Sequence, residues 1–406
     1  MYRKATASEL PPRIGFLSPF AAWRSGMAIF TEGLLSAATL QGASCRIFAV
    51  LESGEVESGD HRVTASMRED VPDEYRLMAG RINRAGIDVL NVQYDLHRYG
   101  GLDADLLLDL LDAVEVPVTT SLHSVPARPS PPSLRYLRTL AERSQAVTVA
   151  NAIARDLLVE HYGIDPDKIS LLPHGAPVIT LTNPLLLKSR LGLFGHQVLL
   201  SFGLIDELKG IEYAIYALPE IVRRHPETLY CIVGQTHPHE KERQSERYRT
   251  YLQELAESLG VRNYIRFVDG YQSPQVLLQY LQAADICLLP YLSVDQATSG
   301  TLAYAVACGR PTIATAFQHA RHLLAKGRGL LVPTADSGAI TARTLELLDH
   351  PDRAFLMEMA CREYGRTLSW IDVGDRFVDL CRRLLAPPPP ARLARRVFAM
   401  TGRLNA

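Results

Sequence analysis

Short apolar runs closed by turn residues alternate along this chain with longer stretches whose apolar residues recur at helical spacing. That alternation reads as a parallel sheet covered by helices, because a parallel strand needs a long crossover before the chain can rejoin the sheet. Arg13–Ser18 predicts a first strand, Phe30–Gln41 a helix and Ser44–Leu51 a second strand. Further strands are expected at Val89–Gln93, Pro117–Leu122, Ala146–Val149 and Ile169–Leu172, with a helix over Asn151–Tyr162 that stops at Gly163. The pattern then restarts. Strands Gln197–Gly203, Leu229–Gly234, Tyr264–Val268, Ile286–Pro290 and Pro311–Ala314 alternate with helices Gly210–Arg224, Tyr248–Leu259, Pro274–Ala283 and Thr301–Cys308. Two doubly wound α/β units in tandem follow, joined in the Thr-, Asn-, Pro- and Leu-rich segment Val178–Gly195. A helix over Tyr364–Leu385, containing Trp370, is expected after the second unit.

Composition narrows the function classes. A chain of 406 residues exceeds one ordinary core. A formal net charge of -1 argues against a nucleic-acid binder, which carries a basic excess. The six cysteines, Cys45, Cys231, Cys287, Cys308, Cys361 and Cys381, lack CxxC pairing, so buried free thiols are expected over a disulfide or zinc framework. No apolar stretch is long enough for a membrane span, and no apolar core follows Arg3 and Lys4 near the start, so a cytoplasmic location is expected. The tail 387–406 opens with Pro387–Pro390 and carries Arg392, Arg395, Arg396 and Arg403. It reads as a solvated end, with contact to an anionic membrane surface as the minority reading.

In tandem units of this kind, ligands sit outside the carboxyl ends of the strands, so the loops after strands carry the information. After the first strand comes Ser18 to Gly26-Met27, where a Gly before a helix lets backbone N–H groups approach an anion. GxGxxG is absent, which argues against a nicotinamide enzyme. His123, after Pro117–Leu122, stands where it could donate to a sugar hydroxyl or a phosphate, or merely pack the loop. A structural role is favoured for His174-Gly175. Asp95, at a strand end, is an acceptor-contact candidate or a loop cap. In Phe202-Gly203-Leu204-Ile205-Asp206-Glu207-Leu208-Lys209-Gly210, a strand ends at Gly203 and a helix begins at Gly210, which holds Lys209 as a point charge over a helix start. The most specific loop runs from Leu289 through Gln296, Ser299-Gly300-Thr301 and Tyr304 to Cys308-Gly309-Arg310-Pro311. There the N–H groups of Ser299, Gly300 and Thr301 would form the positive end of a short helix. Asp103-Ala104-Asp105 precedes the apolar run Leu106–Leu111 and reads as helix capping rather than a metal motif. His237 and His239 flank Pro238 without a third ligand, so a substrate loop is preferred to a metal site.

Taken in order, these loops resemble the family 4 glycosyltransferases of GT-B fold. The matching pieces are Ser-Gly26-Met, Leu-His123-Ser, His174-Gly175, Gly203…Lys209-Gly210, Val233-Gly234, Phe267-Val268-Asp-Gly270, Ser-Gly300-Thr, Ala-Cys308-Gly309-Arg-Pro and Gly329-Leu-Leu-Val-Pro333. The resemblance implies two facing Rossmann-like domains, an acceptor domain at 1–188 and a donor domain at 189–365, with 366–386 crossing back to the first. It implies metal-independent, retaining transfer of a sugar from a nucleotide-sugar to a carbohydrate or other hydroxyl acceptor, as in polysaccharide biosynthesis, with no cofactor. It assigns the donor diphosphate to Lys209 and to Ser299, Gly300 and Thr301, the transferred sugar to His123, and the base to the strand end at Val268. Gly26, Gly203 and Gly234 complete the donor side.

Two departures stand out. The family carries Glu, seven residues, then Glu, where this chain has Gln296 and Tyr304; and it carries Arg after the matching Gly, where this chain has Leu204. Gln296 can still bond a sugar hydroxyl, as a neutral amide. Tyr304 stands where the family's second acid binds the ribose, and losing an ionic hydrogen bond to a ligand costs about 1.5–3 kcal/mol. Two alternatives stay open: a phosphorylase or user of sugar 1-phosphates, and a catalytically silent carbohydrate- or nucleotide-binding protein.

Overall fold

The computed structural model describes residues 10–21, 25–96, 98–100, 105–236 and 246–386. Two parallel sheets organise them. The first comprises β1 (Arg13–Pro19), β2 (Ser44–Leu51), β3 (Val63–Arg68), β4 (Val89–Tyr94), β5 (Val118–Leu122), β6 (Ala146–Val149) and β7 (Ile169–Leu171) in the order β3-β2-β1-β4-β5-β6-β7. The second comprises β8 (Gln197–Phe202), β9 (Thr228–Val233), β10 (Ile265–Val268), β11 (Ile286–Leu289), β12 (Thr312–Thr315) and β13 (Gly329–Val332), ordered β10-β9-β8-β11-β12-β13. Strand order reverses between β1 and β4 in one sheet and between β8 and β11 in the other. A doubly wound sheet opens its ligand crevice at such reversals.

Burial explains the strands. All six residues of β4 are buried, as are all six of β9, because helices cover both faces. The helices start where short polar side chains can cap them: Ser130 Oγ accepts from Ser133 N, Asn151 Oδ1 from Ala154 N, and Ser273 Oγ from Val276 N. Asp105 stands at the N-cap of the helix Leu106–Asp112 but makes no side-chain cap bond; it faces Arg135 at 3.7 Å. Asp103, His237, His239 and the tail 387–406 lie outside the described residues.

The expected helix over Tyr364–Leu385 is two helices. One runs Pro351–Gly365; after a short turn at Arg366–Leu368 the other runs Trp370–Leu385, capped by Ser369 Oγ at 3.1 Å from Ile371 N. The break lets the last helix cross to the first sheet, where Val373, Phe377, Val378 and Cys381 share a core with Ile14, Phe16 and Phe30. Its anchor is Trp370, whose indole fills the space left by two glycines. A Cβ on Gly33 would stand 2.4 Å from that ring, and one on Gly175 2.2 Å from it. All six cysteines are free thiols, five of them buried. Among the described residues no helix is long and apolar enough to cross a membrane.

Candidate functional site

Loops after the strands of the two sheets meet, Gln296 bridging to Ser124 and Asn151 Nδ2 bonding Ala297 O. On the second sheet the backbone is threaded through glycine. Gly203 N donates to Val233 O at 3.0 Å and Gly234 N to Val268 O at 2.9 Å, which ties the ends of β8, β9 and β10 together. Gly234 has φ +144, and a Cβ there would stand 1.9 Å from Gly203 O, so only glycine fits. Val268 is half-buried beside it. The buried Arg249 braces this corner from below, donating through Nη2 to Gly234 O at 2.6 Å and facing Asp269 Oδ1 at 3.1 Å.

Lys209 is half-buried, with Nζ 4.3 Å from the centroid of the Tyr291 ring. Burial opposes its charge, but Tyr291 and Asp206 outweigh that and hold its pKa above the ordinary lysine value. Tyr291 Oη in turn lies 2.8 Å from Thr301 Oγ1. The ammonium therefore stands on a ring that is hydrogen-bonded to the opening turn of the helix Gly300–Ala307.

That helix start is only partly free. Ser299 Oγ accepts from Leu302 N at 3.3 Å, the usual cap. The Ser299 N–H, expected to face a phosphate, donates instead to Nδ1 of the fully buried His319 at 2.8 Å. Gly300 and Thr301 remain as the leading amides. His174, expected to be structural, packs against this turn: its Nε2 would lie 2.7 Å from a Cβ on Gly300, and its Nδ1 bonds Gly175 O at 2.8 Å. Burial drives the pKa of His174 down to about 4 and that of His319 to about 3, so both are neutral.

The loop before that helix reaches into the first unit. Gln296 pairs with Ser124 in an antiparallel bridge, which sets it next to His123. Asn151 Nδ2 donates to Ala297 O at 2.8 Å, Gln318 Nε2 to Val125 O at 2.5 Å, and Ala297 is buried in the core of the first unit. The Gln296 side chain donates through Nε2 to Thr298 O at 2.9 Å, a bond no carboxylate could make.

His123 is half-buried, its ring edge-on to Phe30 at 5.0 Å and its Nε2 2.7 Å from Gln93 Oε1. Burial lowers its pKa to about 4, although Asp95 pulls the other way. Asp95 accepts from Ser124 Oγ at 2.6 Å, a bond that a loop cap makes. Tyr304, at the place of the family's second acid, packs edge-on to His174 at 6.2 Å, and burial raises its pKa above the ordinary tyrosine value. Gly26 opens the helix Gly26–Leu40, exposed, with Ser25 Oγ capping Ala28 N at 3.2 Å. Among the described residues no group of three His, Cys, Asp or Glu side chains could hold a metal ion.

Residues 24–178 match the family described as Glycosyltransferase Family 4, and residues 196–350 match Glycosyl transferases group 1. The chain belongs to the family 4 glycosyltransferases. Its relatives include a D-inositol 3-phosphate glycosyltransferase of Corynebacterium efficiens, 31% identical over 55% of this chain and 53% of that protein. The namesake from Corynebacterium aurimucosum is 24% identical over 82% of this chain and 81% of its own. A GDP-mannose-dependent alpha-(1-6)-phosphatidylinositol monomannoside mannosyltransferase of Mycolicibacterium smegmatis is 27% identical over 60% and 61%. The chain spans about half the length of the first of these relatives, so their activities stay their own. HepE of Anabaena in complex with UDP and glucose superposes with a TM-score of 0.70 at 15% identity, covering 91% of this chain and 99% of that one. Sucrose-phosphate synthase of Thermosynechococcus elongatus gives 0.73 at 18%, covering 92% and 99%. These likenesses establish the GT-B fold of this family 4 glycosyltransferase.

Within that family's scaffold the sequence reading missed four cleft residues. Tyr291 and His319 sit at or just after strand ends, the one signal that would have found them. Gln93 is polar inside an otherwise buried strand. Gln318 carries no sequence signal beyond following β12.

Proposed function

We propose that this enzyme transfers a hexosyl group from a nucleotide-sugar to an acceptor hydroxyl with retention of configuration and without a metal. Residues 189–365 hold the donor and 1–188 the acceptor. The observation that carries the reading is the Lys209 ammonium, seated on Tyr291 beside the opening turn of the helix Gly300–Ala307. As the glycosidic C–O bond breaks, its electron pair passes to the leaving phosphate oxygen, and the new bond forms from the acceptor oxygen, which gives up its proton to that leaving phosphate oxygen. Lys209 and the Gly300 and Thr301 amides stabilise the charge that builds on that phosphate. His123 and Gln296 orient the sugar, and Gly203, Gly234 and Val268 line the nucleotide side. Contacts between Gln296, Ala297 and the first unit favour a closed cleft that excludes water. Released nucleotide should appear when UDP- and GDP-sugars are offered with D-inositol 3-phosphate, the first acceptor to try given the relatives' names. No release with any donor, with or without acceptor, refutes the reading in favour of a silent binder.

One observation favours a second donor class. Tyr304 packs against His174 and brings no carboxylate to a ribose. A sugar 1-phosphate needs the Lys209 end of the site alone. Calorimetry decides: tighter binding of a sugar 1-phosphate than of its UDP- or GDP-sugar selects the second class.

A further inference from the structure

A row of polar side chains runs inside the first sheet, where a parallel sheet covered on both faces is ordinarily Val, Ile and Leu. Asn91, Gln93 and Thr119 are wholly buried, and Ser121 and Thr148 nearly so. The register sets them on one face: Asn91 stands opposite Thr119, Gln93 opposite Ser121, and Ser121 opposite Thr148. They bond in sequence. Thr148 Oγ1 donates to Ser121 Oγ at 2.8 Å, and Asn91 Nδ2 donates to Thr119 Oγ1 at 2.7 Å and to Ser121 Oγ at 3.1 Å. Gln93 Nε2 donates to Asn91 Oδ1, and Gln93 Oε1 meets His123 Nε2 at 2.7 Å. Burying amides here is costly unless each is bonded, so the row is a connected chain whose one open end is His123.

We propose that Gln93, oriented by Asn91, is the positioning residue that fixes His123 as the Nε2–H tautomer, so that His123 offers Nδ1 as a hydrogen-bond acceptor to a hydroxyl of the transferred sugar. The chemistry follows from the partner. An amide oxygen only accepts, so the nitrogen facing it carries the proton and the other ring nitrogen keeps its lone pair. A phosphate oxygen, itself an acceptor, is repelled by that lone pair; a sugar O–H is matched to it. His123 thereby reads a hydroxyl of the sugar rather than the phosphate. Two titratable groups face the ring: Asp95 from the end of β4 and His174 from the loop after β7. The depressed pKa of His123, about 4, keeps the ring neutral at pH 7 and supports this assignment. The sugar contact rests on the proposed transfer; the tautomer does not.

The test separates the two. Full-length protein with ¹⁵N-labelled histidine is measured by long-range ¹H–¹⁵N correlation at pH 7, the His123 signal being assigned by its loss in His123→Asn. The expected result is a protonated Nε2 and a bare Nδ1. In Gln93→Glu, which keeps the size and the acceptor, the carboxylate should move the His123 titration midpoint upward by at least one pH unit. In Gln93→Leu the tautomer should mix. A protonated Nδ1 in the parent, or an unmoved midpoint in Gln93→Glu, overturns the positioning role whether or not any donor is turned over. With an active donor, Gln93→Leu should lower kcat/KM about tenfold for the full sugar, one hydrogen bond's worth, and much less for the deoxy-sugar lacking the hydroxyl read by Nδ1. If the tautomer is as stated but every monodeoxy donor loses equally, the sugar contact is overturned.

Discussion

Replacing Lys209 by Met removes a charge while leaving an apolar stem over the Tyr291 ring, so its effects on folding and on turnover can be told apart. In the fold, Lys209 contributes the attraction of its ammonium for a ring face 4.3 Å away, at a half-buried position. Such a contact is worth about 0.5–2 kcal/mol. For units of this size that is a fall in Tm of only a few degrees. In the proposed reaction, the same ammonium faces charge that grows on the leaving phosphate, where losing one preorganised stabiliser costs about 2.7–4 kcal/mol, or 10²–10³ in turnover. The expected variant is thus folded, slightly less stable, and slower by two to three orders of magnitude. Thermal melting and steady-state release of the leaving group measure the two quantities on one preparation. Turnover within threefold of the parent would refute the placement of Lys209 at the reacting phosphate, whatever the melting curve showed.

Gly234→Ala should destabilise by more than about 2 kcal/mol, because its Cβ would overlap Gly203 O at a backbone angle that side chains avoid; a parent-like urea midpoint would contradict this. Gln296→Glu sets a carboxylate against Thr298 O in place of a bonded amide, and should lower kcat about tenfold or more, checked by steady-state assay, instead of restoring activity as family resemblance alone would suggest. Stability should fall below pH 6.5. Burial holds His123 and His174 at about 4 and His319 at about 3, so between pH 6.5 and 4 the unfolded chain binds protons that the folded one does not. The loss approaches about 1.4 kcal/mol per pH unit for each histidine, and urea midpoints equal at pH 7.5 and pH 5 would count against their neutral burial.

Much of the architecture was legible because buried parallel strands leave continuous apolar runs. The strand bounds at Ser44–Leu51 and Ala146–Val149 and the helix Pro274–Ala283 are as the periodicity predicts. The exceptions have physical causes. β3, Val63–Arg68, is an edge strand with one fully buried residue, Met67, so it has no apolar run to see, and the helix Pro72–Arg84 that follows went unread with it. The break at Arg366–Ser369 was hidden because apolar spacing continues across it; what ends the helix is the crossing of Trp370 into the slot between Gly33 and Gly175, a tertiary fact. For the proposed site, loop order singled out Lys209, Gln296 and the Ser299–Thr301 turn as candidates. It did not reveal that His319 takes the Ser299 amide, because that partner comes from a different strand end 20 residues on.

The charge distribution along the cleft bears on Gln296 and Tyr304, where the chain departs from the family pattern. At one end stands a cation, Lys209, on Tyr291. Around the rest of the donor loop Gln296 is bonded to Thr298 O, His174 and His319 are stripped of charge by burial, and the one acid of the loop, Asp295, accepts from Ala127 N of the first unit at 3.4 Å. A carboxylate at 296 would stand against a backbone carbonyl, and one at 304 would bear desolvation beside His174 and the repulsion of Glu32. Gln and Tyr are therefore residue types this packing accommodates, at 296 because the donor loop is held against the first unit through Ala297 and Asn151, and at 304 because the side chain is buried edge-on to His174. On the proposed reading, a ligand with one compact anion and an uncharged, hydroxyl-rich remainder would be oriented with its anion toward Lys209 and its hydroxyls toward Gln296 and His123. That orientation is the one glycosyl transfer from a phosphate requires.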